Sequence, residues 1–145
     1  MNNWLLSLSI AAALTAGGTQ AMAGDAAAGK AKSATCTACH NADGNSVNPI
    51  WPKLAGQHAG YLEGQLQAFK SGQRKDPTMT AMAAPLSDED MADLAAWFAS
   101  QKQTAGSADP ALAGTGEKLY RGGNAASGVS ACQACHTPNG DGNPA

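Results

Sequence analysis

The sequence predicts an all-α protein. Two stretches, residues 58–71 and the segment from residue 87 onward, carry the apolar spacing of amphipathic helices. Gly72 after the first stretch and Ser87 before the second are residue types typical of helix ends. A third observation is a pair of near-identical segments, 36–40 and 132–136, which both read Cys-x-x-Cys-His and suit a single helical turn. The thioredoxin-like βαβ pattern that often surrounds paired cysteines is not found around them.

The composition limits both the class of protein and the size of its core. The chain has 145 residues, enough for one ordinary domain or two small ones. A formal net charge of −2 gives no signal for binding a polyanion, so we expect no nucleic-acid partner. Alanine and glycine dominate, and the aromatic residues are three Trp, two Tyr and two Phe. Such a chain needs additional apolar bulk to build a stable core.

Residues 1–23 read as a secretory signal. The apolar run 5–16 is shorter than the roughly 18 to 20 apolar residues that a membrane span requires. Residues 21–23, Ala-Met-Ala, have the small-x-small pattern of a cleavage site. Residues 1–3 contain no lysine or arginine, which is atypical of a signal and leaves an uncleaved anchor as the competing interpretation. We expect cleavage before Gly24 and maturation outside the cytoplasm.

The two Cys-x-x-Cys-His segments carry the signature of covalent haem attachment. Because two residues separate Cys36 from Cys39, both thiols lie on one side of a turn and can each add to one vinyl group of a porphyrin. His40 then becomes the proximal iron ligand. A redox dithiol, one zinc site or two disulfides are the alternatives, and none accounts for a histidine after the second cysteine in both segments. The second motif offers the same groups: Cys132, Cys135 and His136.

The elements around the first motif follow in order. Residues 25–34 are alanine-rich with an acid at the start and lysines near the end, which favours a short helix leading into the motif. Residues 49–52 contain two prolines and cannot be helical. A proline carbonyl there could accept the Nδ1–H of His40, or the prolines could only punctuate a loop. The helix over 58–71 follows, and His58 at its start is interpreted as a surface residue rather than a second iron ligand.

The distal side of the haem is expected to come from residues 77–82, a stretch predicted to be free of helix. Met79 and Met82 stand about 40 residues after His40, far enough along the chain to reach the opposite haem face. A loop methionine on its own usually packs, but a haem motif upstream favours a thioether ligand. Ser87 then opens the last helix of this unit, with Asp90 in a capping-box position.

The C-terminal part of the chain repeats the first. Residues 103–109 form a polar linker, and a second unit begins near Pro110 with a short helix over 116–121. The two haem motifs are 96 positions apart (132 − 36), and Gly140 follows Gly44 at the same spacing (140 − 44). An internal duplication explains this register.

Residues outside the motifs carry a family resemblance: 52–57 (Pro-Lys-Leu-Ala-Gly-Gln), Tyr61, 65–66, 79–82 and 86–87. The chain resembles the dihaem cytochrome c4 family, in which two class I cytochrome c folds stand in tandem. The resemblance implies a complete first domain over 24–102, the linker 103–109, and an incomplete, C-terminally truncated second domain over 110–145.

The resemblance also implies the haem ligands. For the first haem these are thioethers at Cys36 and Cys39, axial His40 and Met79, with Met82 as the alternative distal ligand, and the carbonyl of Pro49 orienting His40. The second haem c corresponds to Cys132, Cys135 and His136, with no distal ligand in this chain.

The function that the resemblance implies is periplasmic electron transport without transformation of a substrate. Partners would be redox proteins such as a terminal oxidase or an upstream quinol-oxidising complex, bound weakly and briefly, and peripheral membrane association is compatible with this role. The alternatives are a cytochrome subunit of a periplasmic dehydrogenase, or a haem enzyme such as a peroxidase.

Overall fold

A computed structural model describes residues 24–143, and in this range the chain forms helices joined by loops. The one strand-like feature among these residues is a single bridge between Asn124 and Val129. The all-α prediction is therefore confirmed. The predicted signal, residues 1–23, lies outside the described residues. Within 24–143, none of the helices has the length and apolar character needed to cross a membrane.

The elements of the described range, in chain order, are α1 (Ala26–Lys32), a 3-10 turn (Ser33–Thr35), α2 (Thr37–His40), α3 (Ala59–Ser71), α4 (Pro77–Ala83), α5 (Asp88–Ala99), α6 (Pro110–Gly122), a second 3-10 turn (Ala125–Ser127) and α7 (Gln133–His136).

Three helix ends form as the sequence predicts. Asp25 caps α1 through hydrogen bonds that its side chain accepts from the first turn. Gly72 ends α3 in the left-handed conformation, with φ of 78°. Ser87 and Asp90 form a reciprocal capping box at α5, with Ser87 N–H donating to Asp90 Oδ2 at 2.9 Å and Asp90 N–H donating to Ser87 Oγ at 3.1 Å.

Two predictions about helices are corrected. The segment around Met79 and Met82 was expected to be free of helix, but it forms α4. Asp76 caps this helix and Pro77 occupies its first turn, where a missing N–H costs nothing. The helix expected over 116–121 begins earlier, at Pro110, for the same reason: Asp109 caps it. In both cases an Asp-Pro pair starts a helix that the apolar spacing did not reveal.

The core of the first unit lies between α3 and α5. Its buried residues are Leu62 from α3 and Leu94, Ala95 and Phe98 from α5. Partly buried side chains pack against this cluster from three other segments and from α3 and α5 themselves: Cys36, Leu54, Leu66, Leu86 and Trp97. The first haem-motif cysteine is thus part of the apolar core of this unit.

Helix α1 crosses α5 at very close range. Gly29 of α1 is buried, and a Cβ placed on it would stand 1.9 Å from the carbonyl oxygen of Asp93 and 2.9 Å from Cβ of Trp97. Since any side chain at this position would meet backbone atoms, the crossing requires glycine. The crossing fixes α1 and therefore the start of the motif, which follows four residues after Lys32.

A polar clamp closes the same crossing. Asp93 of α5 is only 4% exposed. Its Oδ1 accepts the backbone N–H of Asp25 at 2.7 Å, and its Oδ2 accepts Lys32 Nζ at 2.7 Å. Lys32 also pairs with Asp90 at 2.8 Å. The buried carboxylate is therefore both hydrogen-bonded and paired, as a charge removed from water requires.

We predict that Gly29→Ala destabilises the haem-loaded protein by about 1–3 kcal/mol, because the added methyl group forces α1 away from α5. The measurement is denaturant unfolding. Gly64→Ala in α3 is the matched control: nothing lies within 4 Å of its Cβ position, so the substitution is expected to stabilise by about 0.5–1 kcal/mol. Equal effects at both glycines would contradict the close crossing.

The clamp also predicts a pH dependence. The ammonium group of Lys32 and then the backbone N–H of Asp25 lower the pKa of Asp93 in the folded chain. The carboxylate therefore contributes stability above its unfolded pKa of about 3.9, and this contribution is lost as the pH falls through the lower folded pKa.

We expect Asp93→Asn to reduce the unfolding free energy at pH 6 and the difference from the parent to shrink below about pH 4. Unfolding curves at several pH values provide the measurement. Glu89→Gln, which alters an exposed acid of the same helix, is the control. A difference that stays constant down to pH 2 would rule out the clamp as its source.

Candidate functional site

The first motif forms one helical turn directly after the α1–α5 crossing. Cys36 is the N-cap of α2, Cys39 lies within that helix, and His40 is its last residue. Both thiols are half-buried and unpaired. Burial raises the pKa of the Cys36 thiol, which keeps it in the neutral form. The turn thus carries two free thiols and one imidazole within five consecutive residues.

His40 is 6% exposed, and its Nδ1 lies 2.9 Å from the carbonyl oxygen of Pro52. A carbonyl can only accept, so the hydrogen is on Nδ1 and Nε2 keeps its lone pair for a metal ion. The expectation for Pro49 is corrected here. Pro49 is exposed and lies in a turn in which the Trp51 N–H donates to the Asn48 carbonyl at 3.1 Å. The carbonyl that contacts the His40 ring is that of Pro52, three residues later.

The loop that carries Pro52 is held by backbone hydrogen bonds. The Gly44 carbonyl accepts the N–H of Leu54 at 2.8 Å and that of Ala55 at 3.2 Å. Gly44 has φ of 75°, and a Cβ there would stand 2.8 Å from the Ala55 nitrogen. Glycine is therefore required twice over, for its backbone conformation and for the close approach. These bonds fix the position of the Pro52 carbonyl relative to His40.

Sequence reasoning missed Asn45, a buried polar residue that anchors the same loop. Its Oδ1 accepts the N–H of Thr104 at 2.8 Å, and its Nδ2 donates to the carbonyl of Lys102 at 3.0 Å. The Asn41 side chain in turn donates to the Asn45 carbonyl at 2.7 Å. In the sequence Asn45 reads only as a turn residue, because its long-range partners lie nearly 60 positions away.

Helix α4 packs on α3 and places the two candidate methionines differently. Met79 is half-buried and close to His40, and its N–H is held by the Asp76 carboxylate at 2.8 Å. Met82 is 46% exposed. Of the two methionines, Met79 is therefore the more buried.

The second motif repeats the backbone of the first in an open setting. Cys132 is the N-cap of α7 and His136 is its last residue. The residue after each histidine has a positive φ, 62° at Asn41 and 67° at Thr137. The two cysteines and the histidine of this motif are exposed, whereas those of the first motif are half-buried or buried. The local chemistry is the same and the surroundings differ.

The ring of His58 lies against the C-terminal end of the described residues, with its Nε2 2.7 Å from the carbonyl oxygen of Asp141. The interpretation of His58 as something other than an iron ligand agrees with this contact, although the residue is half-buried rather than fully at the surface. No cluster of three or more His, Cys, Asp or Glu side chains suited to a metal ion occurs in the same range.

Comparison with known proteins adds independent findings. Residues 26–102 match the Cytochrome c family. Cytochrome c4 of Pseudomonas aeruginosa PAO1 is 53% identical over 142 residues, which cover 98% of this chain and 70% of that protein. The crystal structure of reduced recombinant cytochrome c4 from Pseudomonas stutzeri superposes with a TM-score of 0.78 at 55% identity, covering 83% of this chain and 68% of that one.

A more distant relative is the thiosulfate dehydrogenase electron acceptor of Thiomonas intermedia K12. It is 38% identical over 117 residues, covering 77% of this chain and 54% of that protein. The structural match shows that the helices described above form the cytochrome c fold.

Proposed function

This chain belongs to the cytochrome c4 family of c-type cytochromes, and on that premise we propose that it carries electrons in the periplasm through two covalently bound haems. The observation that carries the proposal is the state of His40. Its ring is buried, its Nδ1–H is given to Pro52, and it follows two unpaired thiols on the same turn. An imidazole held in this way presents Nε2 as a metal ligand.

The residues present fit a haem at the first motif. Cys36 and Cys39 would form the thioethers, His40 would be the proximal ligand and Met79 the distal ligand. The apolar cluster that Cys36 contacts suits a porphyrin, which would add the bulk that a chain poor in aromatic residues lacks. When bound, haem supplies an iron that alternates between the ferrous and ferric states.

The protein's part is to hold the ligands still. The Pro52 carbonyl fixes the His40 ring and increases its basicity, and the network around Gly44 and Asn45 fixes Pro52. A thioether ligand from Met79 would raise the reduction potential. If His40 and Met79 both bind the iron of the first haem, that site would leave no iron position for a substrate. This supports an electron carrier rather than an enzyme.

A peroxidase-like activity is the less favoured alternative. Such a reaction needs a distal acid–base group, and the chain has three histidines, two of which are in the motifs. The third, His58, has its Nε2 committed to the Asp141 carbonyl. This contact argues against His58 in a distal catalytic role.

The partners follow from the same reasoning. We propose weak, brief docking to redox proteins such as a terminal oxidase or a quinol-oxidising complex. One relative is named a thiosulfate dehydrogenase electron acceptor, so a dehydrogenase that donates electrons is the second candidate partner, either transient or as a permanent subunit. Purification from the native host separates these two modes, because only a permanent partner elutes with the cytochrome.

The second motif is proposed to bind haem c through Cys132, Cys135 and His136. The chain is proposed to be exported to the periplasm and its signal cleaved before Gly24. We also propose that residues 24–102 form the first cytochrome c domain, that 103–109 are a linker, and that 110–145 are the start of a second domain. Intact-mass analysis of the exported protein gives the cleavage position and the number of haems together.

Haem counting tests the function directly. The pyridine haemochrome assay on the exported protein is expected to give two haems per chain. The Cys36→Ala, Cys39→Ala double variant should lose the first haem to acid–acetone extraction, because the thioethers alone retain it under acid. The matched variant with Cys132 and Cys135 replaced by Ala should lose only the second. An exported parent protein without Soret absorption would refute the function.

The distal ligand is tested by replacing each methionine. Met79→Ala is expected to abolish the Met–Fe charge-transfer band of the first haem and to lower its reduction potential, because a thioether ligand favours the ferrous state. Met82→Ala should leave both properties unchanged. Visible spectra and a redox titration give the answer, and the reverse pattern would transfer the assignment to Met82.

A further inference from the structure

His58 is the one histidine that the two proposed haem sites do not use. It stands at the N-cap position of α3 and is half-buried. Its backbone N–H donates to the Gln57 side chain at 2.8 Å. Its ring Nε2 lies 2.7 Å from the carbonyl oxygen of Asp141, 83 positions further along the chain. Because a carbonyl only accepts, Nε2 carries the hydrogen and donates it.

Asp141 belongs to a turn that is built onto the second haem motif. The N–H of Asp141 donates to Thr137 Oγ1 at 3.1 Å, and the N–H of Gly142 donates to the carbonyl of His136 at 3.1 Å. The hydroxyl of Tyr120, from α6, donates to the Thr137 carbonyl at 2.6 Å. Residues 137–142 are therefore tied to His136 and to α6, and a bond to Asp141 acts on the whole segment.

The His58 ring lies near Gly142 of the same turn. Gly142 has φ of 76°, and a Cβ built on it would stand 3.7 Å from His58 Nε2, so a side chain at this position would reach the ring. The donor is present in the neutral Nε2–H tautomer and in the cation alike, so the bond needs no change of protonation to persist.

We propose that His58 is an intramolecular latch that holds the turn after the second haem motif against the start of α3. The latch joins the unit that contains His40 to the segment that contains His136. It sets how closely and how rigidly the two haem-binding segments stand to each other. The part of this proposal that concerns the two haems rests on the proposed function, whereas the latch itself concerns only the chain.

Hydrogen–deuterium exchange of the haem-loaded full chain tests the latch. In His58→Leu, the peptides covering 57–60 and 137–143 are expected to exchange about fivefold faster, the ratio that corresponds to about 1 kcal/mol for one lost hydrogen bond. His58→Gln keeps a donor near the Nε2 position and should exchange like the parent. His58→Asn keeps an amide that is too short to reach Asp141 and should exchange like the leucine variant.

Tyr120→Phe is the matched control, since it loosens the same turn from the other side. It should accelerate exchange in 137–143 and leave 57–60 unchanged.

Pulsed dipolar EPR between the two ferric irons gives a readout that loss of stability alone would not move. The distance distribution is expected to broaden in His58→Leu and His58→Asn, and to remain narrow in His58→Gln.

Unchanged exchange in both His58→Leu and His58→Asn would overturn the latch. In that case two haems by the haemochrome assay would leave the electron-carrier proposal standing. Conversely, faster exchange in both variants supports the latch even if the second motif carries no haem, so the two proposals fail separately.

Discussion

The approach of α1 to α5 at Gly29 is the constraint on which the rest of the first unit depends. With no side chain at this position, the backbone of α1 lies directly on the Asp93 carbonyl, and the Asp93 carboxylate reaches across to hold both Asp25 and Lys32. Helix α1 runs through a short 3-10 turn into Cys36. The crossing therefore determines where the first thiol meets the apolar cluster of α3 and α5.

Two sets of hydrogen bonds position the loop that contacts His40. The Gly44 carbonyl accepts the N–H groups of the residues that follow Lys53, and the Asn45 side chain binds the segment after α5. Both belong to the short loop after the motif, so hydrogen bonds from neighbouring segments hold the loop whose Pro52 carbonyl meets His40. Such support of a metal ligand by carbonyls and amides outside the ligand set is what tunes its orientation and basicity.

The two motifs show how far a local sequence determines a site. Cys-x-x-Cys-His gives the same turn twice, including a positive φ after each histidine, at Asn41 and at Thr137. A β-branched threonine is rarely found in that conformation, so the turn is imposed by its own hydrogen bonds. Burial, however, differs completely between the motifs, because it depends on which helices pack around the turn.

The sequence by itself determined the all-α class, the capped helices at Ser87 and before Gly72, the two Cys-x-x-Cys-His segments and the family. These features are encoded within a few consecutive residues, as side-chain caps, apolar spacing or ligand spacing. Only the tertiary structure decided that Pro52 rather than Pro49 faces His40, that Asn45 is an anchor, and that His58 meets Asp141. Each of these depends on where a loop returns in space, and neighbouring prolines or asparagines look alike in sequence. The physical reason is that caps and turns are local free-energy minima, whereas the partner of a carbonyl or an imidazole is chosen by packing between distant segments.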